Sequence, residues 1–76
     1  AVGTVANASG NSSSAFGTNA NSSGENSTAF GFSSNAAGDN SIAAGSQALA
    51  AQESAAAFGA QANALGNNST AVGSFA

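Results

Sequence analysis

The 76-residue sequence contains no Lys, Arg, His, Cys, Met, Trp, Tyr or Pro. Without His and Cys, the chain lacks the usual ligands of zinc and other transition metals. Without His, Cys and Lys, it also lacks the common pairs of nucleophile and general base, so we expect neither an enzyme nor a cofactor-binding protein. Because contacts to nucleic-acid phosphates depend on Lys and Arg, nucleic-acid binding is excluded as well.

Long apolar runs are also missing. No stretch of the sequence approaches the roughly 20 apolar residues that span a bilayer, so we expect no membrane contact by this segment. The basic leading region and apolar run of a signal peptide are absent, and the lack of cysteine leaves the redox compartment undecided. The sequence begins and ends within a repeated phrase, so we expect residues 1–76 to be a single fragment cut from a longer array.

Ala, Ser, Asn and Gly dominate what is present, a composition typical of disordered, low-complexity chains. The spacing of the glycines argues against disorder. One series recurs every 14 residues, and a second lies midway between its members, with Gln52 in one slot. Such a fixed period is typical of stacked repeats. The two series are Gly3, Gly17, Gly31, Gly45, Gly59 and Gly73, and Gly10, Gly24, Gly38 and Gly66.

Each 14-residue unit divides into two halves of seven residues that end in glycine. The spacing predicts a strand of about five residues with alternating faces in each half, followed by a turn at the glycine. In the first half, Ser27, Ala29 and Gly31 share one face, whereas Thr28 and Phe30 share the other. Glycine every seven residues disfavours a helix. The sequence therefore predicts an all-β solenoid of about five stacked coils with two parallel sheets.

The interior of this solenoid must be thin, because the residues predicted to face inward are Ala, Ser and Gly. The outer face of the first half then carries an apolar row that a single chain leaves uncovered. Self-association through that row is the predicted remedy, and cyclic symmetry would bring identical rows together. The opposite assignment, with the large residues inside and alanine at the interface, stays open. The row comprises Val2, Phe16, Phe30, Ile42, Phe58 and Val72.

The phrase Asn-Ser-Thr-Ala-Phe-Gly (26–31) and its counterparts at 40–45 and 68–73 resemble the head repeat of trimeric autotransporter adhesins, the YadA-like head. That family uses 14-residue coils with a motif close to Asn-Ser-Val-Ala-Ile-Gly. Residues 12–17 and 54–59 match the motif more loosely, and the resemblance extends over essentially the whole chain. Phe in place of Ile, Ala44 in the apolar row and Gln52 at a glycine position depart from the pattern.

The resemblance implies a left-handed parallel β-roll, three identical chains around a threefold axis, and display on a bacterial surface after export through the outer membrane. It also implies a role in virulence through binding of host extracellular-matrix or host-cell molecules. Two alternatives remain open: a structural spacer without a ligand of its own, and an ice-binding solenoid. Ice binding needs a regular Thr array, whereas the candidate column here breaks after two positions. That column is Thr4, Thr18, Phe32, Ser46 and Ala60.

Two further columns are candidate functional features. The only charged residues, Glu25, Asp39 and Glu53, share one column, which could bind a cation or could simply be a solvated corner. An exposed Asn column could form a hydrogen-bonding platform for a host ligand, or an amide ladder that stabilises the sheet. The members of that column are Asn7, Asn21, Asn35 and Asn63.

Overall fold

The computed structural model describes residues 2–74, which form ten short parallel strands in two sheets. The odd-numbered strands form sheet B in the order β1-β3-β5-β7-β9, and the even-numbered strands form sheet A in the order β10-β8-β6-β4-β2. The strands are β1 (Asn7–Ala8), β2 (Ser14–Phe16), β3 (Asn21–Ser22), β4 (Thr28–Phe30), β5 (Asn35–Ala36), β6 (Ile42–Ala44), β7 (Leu49–Ala50), β8 (Ala56–Phe58), β9 (Asn63–Ala64) and β10 (Thr70–Val72).

Each strand from β1 to β8 pairs with the strand one coil later, and every pairing joins residues 14 positions apart. Ala29 pairs with Ala43 in sheet A, and Asn21 pairs with Asn35 in sheet B. The 14-residue period is therefore the length of one turn of backbone, and the predicted parallel β-solenoid of about five coils is confirmed. The strands contain two or three residues rather than the predicted five, because the turns occupy the remaining positions.

The interior between the two sheets consists of alanine, with a few serines. Ala15, Ala29, Ala43 and Ala57 of sheet A are completely buried. The Phe and Ile side chains of sheet A lie outside, so the alternative assignment, which placed them within the coils, is wrong. No fully buried side chain among residues 2–74 is larger than serine, because the small residues let the two sheets approach closely.

Buried serines in this interior satisfy polar groups at the turns. The Ser27 hydroxyl donates to the carbonyl of Gly24 at 2.7 Å and lies 2.6 Å from the Ser22 hydroxyl. One coil later, the Ser41 hydroxyl donates to the carbonyl of Gly38 at 2.6 Å. These bonds let serine be buried three residues after the glycine, since a buried hydroxyl needs a hydrogen-bond partner. The Gly24 carbonyl also accepts from the Ser27 amide, at 3.3 Å.

Two different requirements place glycine at the two kinds of corner. Gly31 has a φ of 118°, a conformation that side-chain-bearing residues rarely adopt. Gly38 lies outside that region of φ, but a Cβ atom there would come within 2.0 Å of the carbonyl oxygen of Gln52 in the next coil. The first kind of glycine permits the backbone conformation as well as close stacking, whereas the second permits only the stacking of coils.

Gln52 stands where the second glycine series would continue, and the local hydrogen bonding changes there. The amides of Gly24 and Gly38 donate to carbonyls of the next coil at 3.4 and 3.3 Å, whereas no equivalent bond forms from Gln52 within residues 2–74. The neighbouring bond, from Ala51 to Ala64, remains at 3.2 Å. The solenoid thus continues through this departure from the repeat.

Candidate functional site: the two outer faces

The outward side of sheet A is here called the apolar face, and it consists of two columns of side chains. Each even-numbered strand contributes its first and third residues, and we call such a pair a rung. The five rungs are Ser14 with Phe16, Thr28 with Phe30, Ile42 with Ala44, Ala56 with Phe58, and Thr70 with Val72. Val2 extends the second column by one position through an isolated bridge to Phe16.

The large side chains of the apolar face are accessible in the single chain. Phe16 and Phe30 keep 38% and 44% of their surface exposed, and Ile42 and Phe58 keep 38% and 40%. The residues of the predicted apolar row are therefore brought together on one face. Large exposed apolar patches are typical of interaction sites. That sister copies cover it stays a prediction.

Phe16 and Phe30 stack face to face, with ring centroids 4.8 Å apart and an interplanar angle of 4°. This separation is about the spacing of adjacent strands in a sheet. The stack cannot continue, because Ala44 pairs with Phe30 on one side and with Phe58 on the other. The second column therefore has a notch one coil wide at Ala44, and in the same rung the first column carries Ile42, its one large side chain.

The apolar face carries no charge. The three acidic residues lie at exposed turn positions, and the Glu25 amide donates to the Asp39 carboxylate at 3.0 Å. Within residues 2–74, no three acidic side chains form a group that could hold a metal ion. The acidic column thus borders a corner of the solenoid and leaves both sheet faces uncharged.

The outward side of sheet B is here called the polar face, and it contains the predicted Asn column. Asn7 and Asn63 are exposed, whereas Asn21 and Asn35 are half-buried, and Leu49 occupies the position between Asn35 and Asn63. The Oδ1 atoms of Asn21 and Asn35 are buried without a hydrogen-bond partner. The hydrogen-bonding surface of the Asn column is therefore less open than the sequence predicts, because only Asn7 and Asn63, near the two ends, are exposed.

No side-chain hydrogen bond joins members of the Asn column in the described part of the chain. The structure instead has an amide–amide hydrogen bond at a turn, where Gln61 Nε2 donates to Gln47 Oε1 at 2.8 Å. Thr4, Thr18 and Phe32 are all exposed at the equivalent turns of earlier coils. Phe32 interrupts that Thr column, as the sequence predicts, so no regular Thr array forms there.

A third set of residues was missed by sequence analysis, namely non-glycine residues with a left-handed backbone. They recur every seven residues with φ between 57° and 62°. The amide of each member from Asn19 to Asn68 donates to a carbonyl of the preceding coil, as from Asn40 to Glu25 at 2.7 Å. Asn at four of these positions is a recognisable signal, because Asn tolerates this conformation. The set is Val5, Ser12, Asn19, Asn26, Ser33, Asn40, Gln47, Ser54, Gln61 and Asn68.

A ligand would contact one of these faces rather than enter a cleft, because no cavity opens among residues 2–74. The same residues include no helix that could cross a membrane. The two faces offer different chemistry: the apolar face presents aromatic and aliphatic side chains, and the polar face presents amides and hydroxyls.

Comparison with protein families gives one match. The YadA head domain repeat matches residues 1–20, 22–48 and 50–76, which is nearly the whole chain. The search of curated proteins gave no match.

Proposed function

Because this chain belongs to the YadA head domain repeat family, we propose that it is part of an adhesin head that attaches bacteria to host extracellular matrix or host cells. YadA-like heads come from trimeric autotransporter adhesins, which are exposed at the cell surface. In this proposal the chain is a left-handed roll, assembles as a homotrimer and reaches the surface by export through the outer membrane, and its anchor lies in another part of the protein.

The observation that carries the proposed assembly is the uncovered apolar face, with its Phe and Ile side chains about 40% exposed. Three parallel copies arranged around one axis would cover this face without involving the acidic corner. Burying aromatic side chains at a subunit interface contributes strongly to association. Because the chain carries a net charge of −3 and no cation, contact between copies is favoured where charge is absent.

With the apolar face covered, the polar face and the turns would remain for the host ligand. The exposed amides of Asn7 and Asn63 and the hydroxyls along the polar face can donate and accept hydrogen bonds. Repetition of the coil in three copies would multiply a weak contact, and multivalent attachment raises the apparent affinity. A structural spacer, in which these coils only set the distance to another binding domain, is the alternative.

Binding of the purified 76-residue chain to immobilised collagen, fibronectin and laminin tests the proposal against the spacer alternative. We expect saturable binding to at least one matrix protein, and weaker binding by a variant with Asn7→Ala and Asn63→Ala. A matched control variant with Glu25→Gln, at the acidic corner, should bind as the parent does. An assembled head that binds none of the matrix proteins and no host cells would contradict adhesion and leave the spacer.

A further inference from the structure

We propose that Ile42 and Ala44 form a register key, which holds neighbouring copies of this chain at the same height when their apolar faces meet. The inference rests on the proposed self-association, and it concerns how the copies align along the solenoid. A repetitive face has an alignment problem, because two copies displaced by one coil, about 4.8 Å, would present nearly the same surface to each other.

The key follows from the composition of the rungs. In four of the five rungs the first residue is the smaller and the third the larger, as in Thr28 with Phe30. The third rung reverses this order, with Ile42 first and Ala44 third. Ile42 is exposed and Ala44 is half-buried beside Phe30 and Phe58, so this rung presents a knob in one column and a notch in the other.

The parallel arrangement of copies around a common axis determines which columns meet, and exact cyclic symmetry additionally requires the equal height that the register key would select over a displaced ring. When parallel copies surround an axis that runs along the solenoid, one side of each apolar face meets the opposite side of its neighbour's face. The first column of one copy therefore lies against the second column of the next, whether the ring contains two copies or three. At equal height the smaller residue of each rung meets the larger residue of the neighbour's matching rung, and Ile42 meets the neighbour's Ala44.

A displacement by one coil destroys this complementarity in either direction. Shifted one way, Ile42 meets the neighbour's Phe58, and Thr28 meets its Ala44. Shifted the other way, Ile42 meets Phe30, and Ala56 meets Ala44. Each displaced arrangement contains one overpacked contact between large side chains and one void between small side chains, and both destabilise an interface. Only the aligned arrangement avoids both.

Disulfide cross-linking measures this alignment directly, because the chain contains no cysteine of its own. A chain with Thr70→Cys and a second chain with Val72→Cys are unfolded and refolded together. A disulfide between these two chains reports copies at equal height. A disulfide between a chain with Ala56→Cys and a chain with Val72→Cys reports a displacement of one coil. We expect the equal-height pair to give at least about tenfold more mixed disulfide than the displaced pair, given the cost of overpacking.

Removing the key provides the matched comparison. The double variant Ile42→Thr with Ala44→Phe gives the third rung the composition of the second, and we expect the two cross-linking pairs to give similar yields in it. Ala44→Phe alone and Ile42→Thr alone should each weaken assembly, and the double variant should restore it. Circular dichroism of each variant checks that the fold persists, since both side chains point outward.

Each outcome bears on a different part of the proposal. Assembled parent copies that cross-link equally at both heights would overturn the register key and leave self-association intact. The same holds if the double variant keeps the tenfold preference of the parent. A parent chain that stays monomeric at every concentration would overturn both the key and the proposed association on which it rests.

Discussion

The apolar face and the polar face are built on the same frame but carry opposite chemistry. Both sheets stack at the same 14-residue step, and both turn completely buried alanines inward. Outward, sheet A presents residues such as Phe16 and Phe58, whereas sheet B presents residues such as Asn7 and Asn63. The interior of the solenoid is therefore built from small residues in both sheets. The outward residues differ between the sheets and determine what each face can contact.

The largest expected effect comes from damaging the frame that both faces share. We expect Gly38→Ala to destabilise the fold by about 3 kcal/mol or more, because its Cβ would lie 2.0 Å from the Gln52 carbonyl oxygen. Gly66→Ala is the matched control, since a Cβ there meets nothing closer than 3.7 Å. Chemical denaturation at one protein concentration gives both values, and equal losses would contradict the role of coil stacking.

The second-largest expected effect is on association, and it distinguishes the apolar face from the polar face. We expect Phe30→Ser on the apolar face to weaken association by about 2 kcal/mol per copy, or roughly thirtyfold for each copy in the overall dissociation constant, because it removes a central aromatic contact. Asn35→Ser on the polar face should leave association unchanged. Sedimentation equilibrium compares the two variants, and a loss of association in Asn35→Ser alone would reverse the assignment of the faces.

A smaller effect concerns the buried serines. Ser27→Ala removes the hydroxyl that donates to the Gly24 carbonyl. The Ser22 hydroxyl then also loses its hydrogen-bond partner, which lies 2.6 Å away. We expect a loss of about 1 kcal/mol in the free energy of unfolding. Thr28→Ala, at the adjacent outward position, is the control. Both variants are unfolded as single, unassembled chains, because Thr28 lies on the apolar face. No difference between the two variants would show that the buried hydroxyl contributes nothing.

The smallest effect is expected at the acidic corner. Asp39→Asn keeps an oxygen that can accept from the Glu25 amide, and it removes one of three like charges from the column. We expect a slight gain in thermal stability at low salt, below about 0.5 kcal/mol, that disappears at 1 M salt because screening removes the repulsion. A marked loss of stability at low salt would contradict this, and would indicate that the charge of Asp39 strengthens its bond from the Glu25 amide.

The solenoid could be predicted from the sequence because close stacking of the coils requires small residues at positions that recur with a fixed period. A close approach between coils at Gly38 admits no Cβ, so glycine recurs at a fixed step. The thin interior admits little beyond alanine, so positions such as Ala29 recur in the same way. Strand alternation predicted that Phe16, Phe30 and Phe58 lie on the face opposite those alanines, but only the structure decides that this face points outward.

The turns could not be predicted to the same degree. Left-handed backbone positions are occupied by Asn26 and Asn40, but also by Gln47, Ser54 and even Val5, so no single residue type reveals them. These turns shorten the strands below the predicted length. The burial of Asn21 and Asn35 was also missed, because it depends on how neighbouring coils cover their side chains and not on alternation alone.

The mass of the chain in solution tests most directly whether copies of this solenoid cover one another's apolar faces. Multi-angle light scattering over a range of concentrations should give about 21 kDa, three times the 7.0 kDa of one chain, together with a β-rich circular dichroism spectrum. A folded species that stays at 7.0 kDa at every concentration would contradict it.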